Sequence, residues 1–156
     1  MIVLGFDPGY GRLGFGVLSC NGPRVTMRAA GVITTPANTP TPNRLTEIAR
    51  DVEALLDEYL PELVAIEEIF FAQSTTTALR VAEVRGLLLY LCAKRGIALI
   101  EVQPTQVKLA LTGYGHADKR QMQQMIKTVL NLPSVPKPDD AADALAIAWT
   151  GMTVRQ

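Results

Sequence analysis

Four acidic residues stand against apolar runs, where a folding chain normally avoids charge. Asp7 closes Ile2-Val3-Leu4-Gly5-Phe6, Glu67 interrupts the run that begins Leu63-Val64-Ala65-Ile66, and Asp140 and Asp143 open Ala144-Leu145-Ala146-Ile147-Ala148. An ionised carboxylate at the border of a core is costly unless it is paired, hydrogen-bonded or bound to a cation. Oxygen-only donors suit hard cations such as Mg²⁺ or Mn²⁺ rather than zinc. Two divalent ions roughly 4 Å apart activate a water, hold a scissile phosphate and stabilise the leaving oxygen of an in-line displacement. Such chemistry needs no protein nucleophile, and the chain has neither a GxSxG motif nor a Cys/His constellation. Each acid also has a plainer reading. Asp7 precedes Pro8-Gly9 and suits the start of a turn, Glu67 suits a buried ion pair, and Asp139 and Asp140 suit the positive end of a helix dipole. Asp140 and Asp143, spaced i,i+3, share one helix face at about 5 to 6 Å between Cβ atoms. Glu67 and Glu68 face opposite ways along a strand, so only one of them shares a site with Asp7, and periodicity leaves the choice open.

The elements that must position these acids are legible. Ile2 to Asp7, Leu13 to Cys20 and Val25 to Thr34 read as three strands, separated by Pro8-Gly9-Tyr10-Gly11 and Asn21-Gly22-Pro23, turns that favour an antiparallel meander. Thr35 to Asn43, with three prolines, reads as a loop. Leu45, Ile48, Val52, Leu55, Leu56 and Tyr59 then recur at helical spacing up to Pro61. A β-run follows from Leu63 to Phe71, and Ser74 is an N-cap candidate for a helix reaching about Arg95, closed by Gly96. Ile97 to Val102 reads as a strand, Pro104 to about Gly113 as a short helix, Asp118 onward as a helix with Met122, Met125 and Ile126 inward, and Asp139 onward as the last helix. The order β-β-β-α-β-α-β-α, with further helices behind it, predicts an α/β fold. Its five-stranded mixed sheet combines an antiparallel meander with parallel strands added by right-handed crossovers, and helices flank it.

The 156 residues, 48% hydrophobic and 19% charged, suit one domain spanning 1–156. The longest apolar stretch, Gly86 to Ala93, is too short to span a bilayer, and the N-terminus has no signal-peptide pattern, so a cytoplasmic protein is expected. Cys20 and Cys92 lack CxxC spacing and read as buried thiols, and the single His116 argues against a multi-histidine metal site. The neutral total charge hides segregation: residues 39–75 carry eight acids against two Arg, whereas residues 76–137 carry nine Lys or Arg against three acids. A local basic surface of this kind suits an anionic partner such as nucleic acid, or simply solvated helix faces.

Five segments, Gly5-Phe6-Asp7-Pro8-Gly9, Ala65-Ile66-Glu67, Ala78 to Gly86, Gln106-Val107-Lys108 and Asp140-Ala141-Ala142-Asp143-Ala144-Leu145-Ala146, resemble in the same order the RuvC family of bacterial Holliday junction resolvases. The resemblance implies a ribonuclease H-like fold and a homodimeric, Mg²⁺-dependent endodeoxyribonuclease for which Mn²⁺ can substitute. Such an enzyme nicks two strands of a four-way DNA junction symmetrically in recombination and repair, leaves 5′-phosphate and 3′-hydroxyl ends, and works with the branch-migration proteins RuvA and RuvB. It implies that Asp7, Glu67, Asp140 and Asp143 form the catalytic, two-metal-binding set, thereby selecting Glu67 over Glu68, with Asp139 left outside the motif as a capping or outer acid. It implies DNA contacts for Lys108 and Lys119, more weakly for Arg80, Arg120 and Lys127, and a base-stacking role for Phe70. The surplus apolar surface of Ala78 to Cys92 is a candidate dimer interface. Asp7-x-Gly9 with Gly14 also resembles the phosphate turn of actin- and sugar-kinase-type ATPases, which need two such domains.

Overall fold

The computed structural model describes residues 1–68 and 75–155. The chain opens with strands β1 (Ile2–Asp7), β2 (Arg12–Asn21) and β3 (Arg24–Thr34). Helix α1 (Thr41–Tyr59), strand β4 (Leu63–Glu67), helix α2 (Thr75–Lys94) and strand β5 (Ala98–Val102) follow. Helices α3 (Pro104–Thr112), α4 (Lys119–Val129) and α5 (Asp139–Val154) complete it. Most boundaries lie within a residue or two of the sequence expectation, and the start of α1 departs from it most clearly. Helix α1 starts at Thr41, inside the segment read as a loop, because Pro42 occupies the first turn, where its missing N–H has no partner to lose. Strand β4 is formed by Leu63–Glu67, and Glu68 N–H still donates to the Val102 carbonyl at 2.9 Å; residues 69–71 of the expected run and the proposed N-cap Ser74 lie outside the described residues.

The sheet has the order β3-β2-β1-β4-β5. Strands β1, β2 and β3 pair antiparallel, as their short connections require, and the helical crossovers add β4 and β5 in parallel. Alternation along the strands sends side chains to two separate cores. Leu4, Phe6, Val64 and Ile66 face Ile48, Val52 and Leu56 of α1 and Val84 and Leu88 of α2. Val3, Leu63, Ala65 and Val102 face α3, α4 and α5. The result is a helix, sheet, helix sandwich in which Asp7 and Glu67 are the last members of the rows that face α5.

Helix α5 lies unusually close to the sheet. A Cβ on Gly5 would stand 2.3 Å from the Ala144 carbonyl oxygen, one on Gly14 2.3 Å from the Asp140 carbonyl oxygen, and one on Gly16 2.7 Å from the Leu145 nitrogen. The contact is reciprocated from the helix, where a Cβ on Gly151 would stand 2.5 Å from that of Ala65. The alanine-rich α5 sequence supplies a narrow helix and the glycines a groove for it, which explains how an element of this composition is almost wholly buried. The opposing atoms are largely backbone, so they do not move aside as a flexible side chain would.

Gly5→Ala therefore costs about 3 kcal/mol in urea unfolding, the upper end of overpacking penalties, and displaces the first turns of α5. Gly115→Ala, whose nearest neighbour would be 3.9 Å away, stays within about 0.5 kcal/mol of the parent. Equal stabilities for the two variants would contradict the close α5 contact.

Candidate active site

The register brings the first two acids together. Phe6 pairs with Ile66 across parallel strands, so Asp7 and Glu67 end neighbouring strands at the same level and on the same face. Glu68, the next residue, is turned away by the alternation of the backbone and is not among the residues lining the cleft. Helix α5 enters over these strand ends with Asp139 and Asp140 in its first turn. Asp143, one turn along, joins Asp7 and Glu67 in lining an open cleft of about 310 Å³, together with Lys108 of α3 and Lys119 of α4. Met122, Ala146 and Ile147 supply its apolar wall.

Asp140 takes a different position from the other three. Its Oδ2 accepts hydrogen bonds from Arg12 Nε at 3.0 Å and Nη2 at 2.7 Å, at the edge of the cleft rather than in its lining. Asp139 is held further out, 3.1 Å from Lys137 Nζ and 3.6 Å from Lys119 Nζ. Lys119 also pairs with Asp143 at 3.2 Å. Arg12 gave no signal in the sequence, being a single cation after a turn. Only the β1–β2 hairpin and the seating of α5 bring it to Asp140.

Burial and mutual repulsion define the electrostatics. Burial, then the charges of Asp143 and Asp140, push Asp7 up to about 6 against the opposing influence of Lys119. Burial, then Asp7 and Asp143, push Glu67 up to about 7, with Lys108 opposing. Burial raises Asp143 as well, and Lys119 works against it. These are anions whose charged forms lack adequate compensation, and their oxygens are hard donors; the set therefore fits divalent cations of the Mg²⁺ or Mn²⁺ type. Among the described residues no three acidic, histidine or cysteine side chains stand close enough together to enclose a metal ion by themselves.

The remaining candidates divide by position. Lys108 and Lys119 reach the cleft, while Arg120 is exposed on α4 and Lys127 is half-buried eight residues beyond Lys119. Arg80 lies against Tyr10 in a separate cluster. Phe70 lies outside the described residues. Of the two thiols expected to be buried, Cys92 is, and burial pushes it up to about 11. Cys20 is half-buried instead, near the end of β2, with its Sγ 3.1 Å from Met152 Sδ.

Comparison with known proteins agrees with this architecture. A family model described as "Crossover junction endodeoxyribonuclease RuvC" matches residues 3–151. Proteins carrying that description from Thermosipho melanesiensis and Alkaliphilus oremlandii are 48% and 49% identical over 149 and 148 residues, covering 96% and 95% of this chain and 95% and 90% of their own. The structure of Thermus thermophilus RuvC in complex with a Holliday junction substrate superimposes with a TM-score of 0.94 at 35% identity, covering 99% of this chain and 94% of that one. The yeast mitochondrial Holliday junction resolvase Ydc2, 18% identical, shares the fold with a TM-score of 0.66 over 96% of this chain and 78% of its own.

The raised pKa values of Asp7 and Glu67 fix the sign of a pH effect. A carboxyl group that holds its proton more tightly when folded contributes stability at low pH and loses it as the pH rises through the folded value, here about 6 to 7. In chelator, Asp7→Asn removes one such group and relieves Glu67. Relative to the parent it gains on the order of 2 kcal/mol between pH 5 and pH 8, read from urea midpoints. A parent-minus-variant difference that does not change with pH would show that Asp7 is not destabilised as an anion.

Proposed function

The chain belongs to the RuvC family of crossover junction endodeoxyribonucleases, and from that premise we propose that it resolves four-way DNA junctions by paired, symmetric nicks in recombination and repair. The observation that carries the reading is the gathering of carboxylates from β1, β4 and α5 with two lysines around one cleft. Asp7, Glu67 and Asp143, with Asp140 at the rim, are the residues to hold two Mg²⁺ ions, with Mn²⁺ an acceptable substitute. When bound, such ions supply Lewis-acid stabilisation to the phosphate and to the attacking and leaving oxygens of an in-line displacement. The chain's own groups do the rest. Lys108 and Lys119 bring positive charge to the phosphate without blocking it, because both are amines on flexible stems at the mouth of the cleft. Arg12 fixes the orientation of Asp140 through two donors. The apolar wall of Met122, Ala146 and Ile147 limits water beside the acids, which strengthens every charge interaction within. Scission of the P–O3′ bond, with the 3′ oxygen leaving, gives 5′-phosphate and 3′-hydroxyl ends.

A four-way junction presents two equivalent strands, and two nicks of like polarity need two sites related by a two-fold axis. A homodimer through α2 supplies them. Leu79 and Tyr90 are each 60% exposed on that helix, and Gly86 between them has open space around it, leaving a helical stripe suited to close approach by a second copy. Arg120 and Lys127 of α4 are proposed as further phosphate contacts, and Phe70 as a base-stacking residue. Among the described residues no helix is long and apolar enough to cross a membrane; we place the enzyme in the cytoplasm, as one domain over residues 1–156, acting with RuvA and RuvB as the family resemblance implies.

A labelled synthetic four-way junction with and without Mg²⁺ tests the activity. The parent nicks it only with the metal, while Asp7→Asn and Glu67→Gln bind the junction yet leave it intact. Mg²⁺-dependent nicking by either variant would remove that residue from the catalytic set, and parent binding without nicking would indicate a junction-binding module instead. For the dimer, Tyr90→Glu shifts the mass measured by light scattering from two copies to one and abolishes paired nicking. An unchanged mass would place the interface elsewhere.

A further inference from the structure

The connection between α3 and α4 borders a second cavity, apart from the clustered acids. It has a volume of about 330 Å³ and is lined by Thr112, Tyr114, Ala117, Gln121, Gln124 and Met125. Ala117 also lines the acidic cleft, so the two spaces adjoin across a single residue. Their chemistry differs. The cleft gathers carboxylates and lysines, whereas none of the side chains lining the second cavity is charged.

Tyr114 is 57% exposed, and the loop that presents it is not slack. Gly113 ends α3 in the left-handed region at φ 73°, its N–H donating to the Leu109 carbonyl at 2.9 Å. The Thr112 hydroxyl donates to the Lys108 carbonyl at 2.8 Å and accepts from Tyr114 N–H at 3.1 Å. Ala117 N–H donates to the Tyr114 carbonyl at 3.1 Å. Asp118 and Gln121 then cap α4 reciprocally, each side chain accepting from the other's backbone N–H at 2.8 Å. His116 meets the Tyr114 ring edge-on, with centroids 5.6 Å apart and planes at 62°, which restricts the tilt of the ring. A rigidly held aromatic surface loses little freedom when something stacks on it.

The polar groups are set as well. A backbone N–H only donates, so the Gln121 atom facing Asp118 N is the amide oxygen, and both amide hydrogens remain for another acceptor. Gln124, three residues on, is exposed, and its side-chain amide has no hydrogen-bond partner among the described residues. A phosphate does not suit this lining, because no cation there would compensate an anion placed against Ala117 and Met125. A purely aliphatic ligand would leave the amides unanswered. A nucleobase answers all three features: its face stacks on the tyrosine, its rim meets apolar atoms, and its edge carries donors and acceptors for amides. The volume lies at the small end of ligand pockets, which run from ~300 to ~1,000 Å³, and suits one heterocycle rather than a peptide segment.

We infer that this cavity is a subsite for one base of the strand being cut, close to the scissile phosphate, stacked on Tyr114 and read at its edge by Gln121 and Gln124. The inference rests on the nuclease reading above and adds sequence discrimination to it, which contacts to phosphate do not supply. A base at the crossover, where stacking is interrupted, is turned out at less cost than one inside a continuous duplex.

Two measurements test it. Junctions carry 5-iodouracil, which cross-links under long-wave ultraviolet light to an aromatic ring stacked on it, at single positions on either side of the nick, in Ca²⁺ to hold them uncleaved. Peptide mass spectrometry places the cross-link on Tyr114 from one of these positions. Single-turnover nicking is then timed with each base in turn at that position. Parent rates differ by about tenfold between the best and the worst base, and Tyr114→Ala narrows the spread to below about threefold. Tyr114→Phe keeps most of the spread, since the ring rather than the hydroxyl stacks. Gln121→Glu retains the cap, because its carboxylate also accepts from Asp118 N–H, but loses the amide donors; it slows every junction and narrows the spread. The thermal midpoints of these variants stay near the parent value. A cross-link that maps elsewhere, a parent indifferent to the base, or a Tyr114→Ala variant that keeps the parent's base ratios overturns the inference while the nuclease reading stands. Slowing by one common factor for every base in Tyr114→Ala also overturns it, and reduces Tyr114 to a non-specific contact. A parent that nicks no junction defeats the nuclease reading itself, and the subsite with it.

Discussion

The close seating of α5 on the sheet is the constraint on which the rest of the molecule depends. Gly5, Gly14 and Gly16 leave no room for a Cβ between strand and helix, and the alanines of α5 answer them. At this separation the carboxyl groups at the start of the helix come over the ends of β1 and β4. A wider separation would leave the strand acids Asp7 and Glu67 on the sheet and the helix acids Asp140 and Asp143 apart from them. The packing that forms one half of the core is thus also what assembles the site.

That assembly sets stability against function. Burial and mutual repulsion push Asp7 up to about 6 and Glu67 up to about 7, a cost that a folding chain would avoid if packing alone were selected. Nearby cations reduce it without removing it: Lys108 opposes at Glu67, Lys119 at Asp7 and Asp143, and Arg12 holds Asp140. The cleft is left with concentrated negative charge, hard oxygen donors and flanking amines, the combination needed to bind divalent cations and then a phosphodiester. Arg44 and Arg80, stacked on Tyr10, show the opposite imbalance, with no carboxylate in a salt bridge to either among the described residues. Both departures from neutrality meet at the turn after Asp7.

Much of the fold was legible because its signals are local. Alternation and helical spacing marked every strand and helix, and the two turns of the meander marked the antiparallel half of the sheet. The errors fell where local signals conflict. Three prolines between Thr35 and Asn43 suggested a loop, yet proline in a first turn is compatible with a helix, and α1 begins at Thr41. Cys20 read as buried from its neighbours, though it sits near the end of β2, where it is only partly buried.

For the site, the sequence alone determined which residue types stand at the ends of which elements: Asp7 after an apolar strand, Glu67 or Glu68 after another, and acids one turn apart at the head of an apolar helix. The segments resembling the RuvC family determined the chemistry to expect from them. Periodicity left Glu67 and Glu68 open and the family resemblance chose Glu67; only the tertiary structure decided which acids meet around one cleft, and that Asp140 is engaged by Arg12 while Lys119 spans Asp139 and Asp143. The physical reason is that periodicity acts along one dimension. Strand register and the depth to which a helix sinks onto a sheet are set by contacts between residues far apart in the chain, such as Phe6 with Ile66 and Gly14 with Asp140, and no local pattern records them.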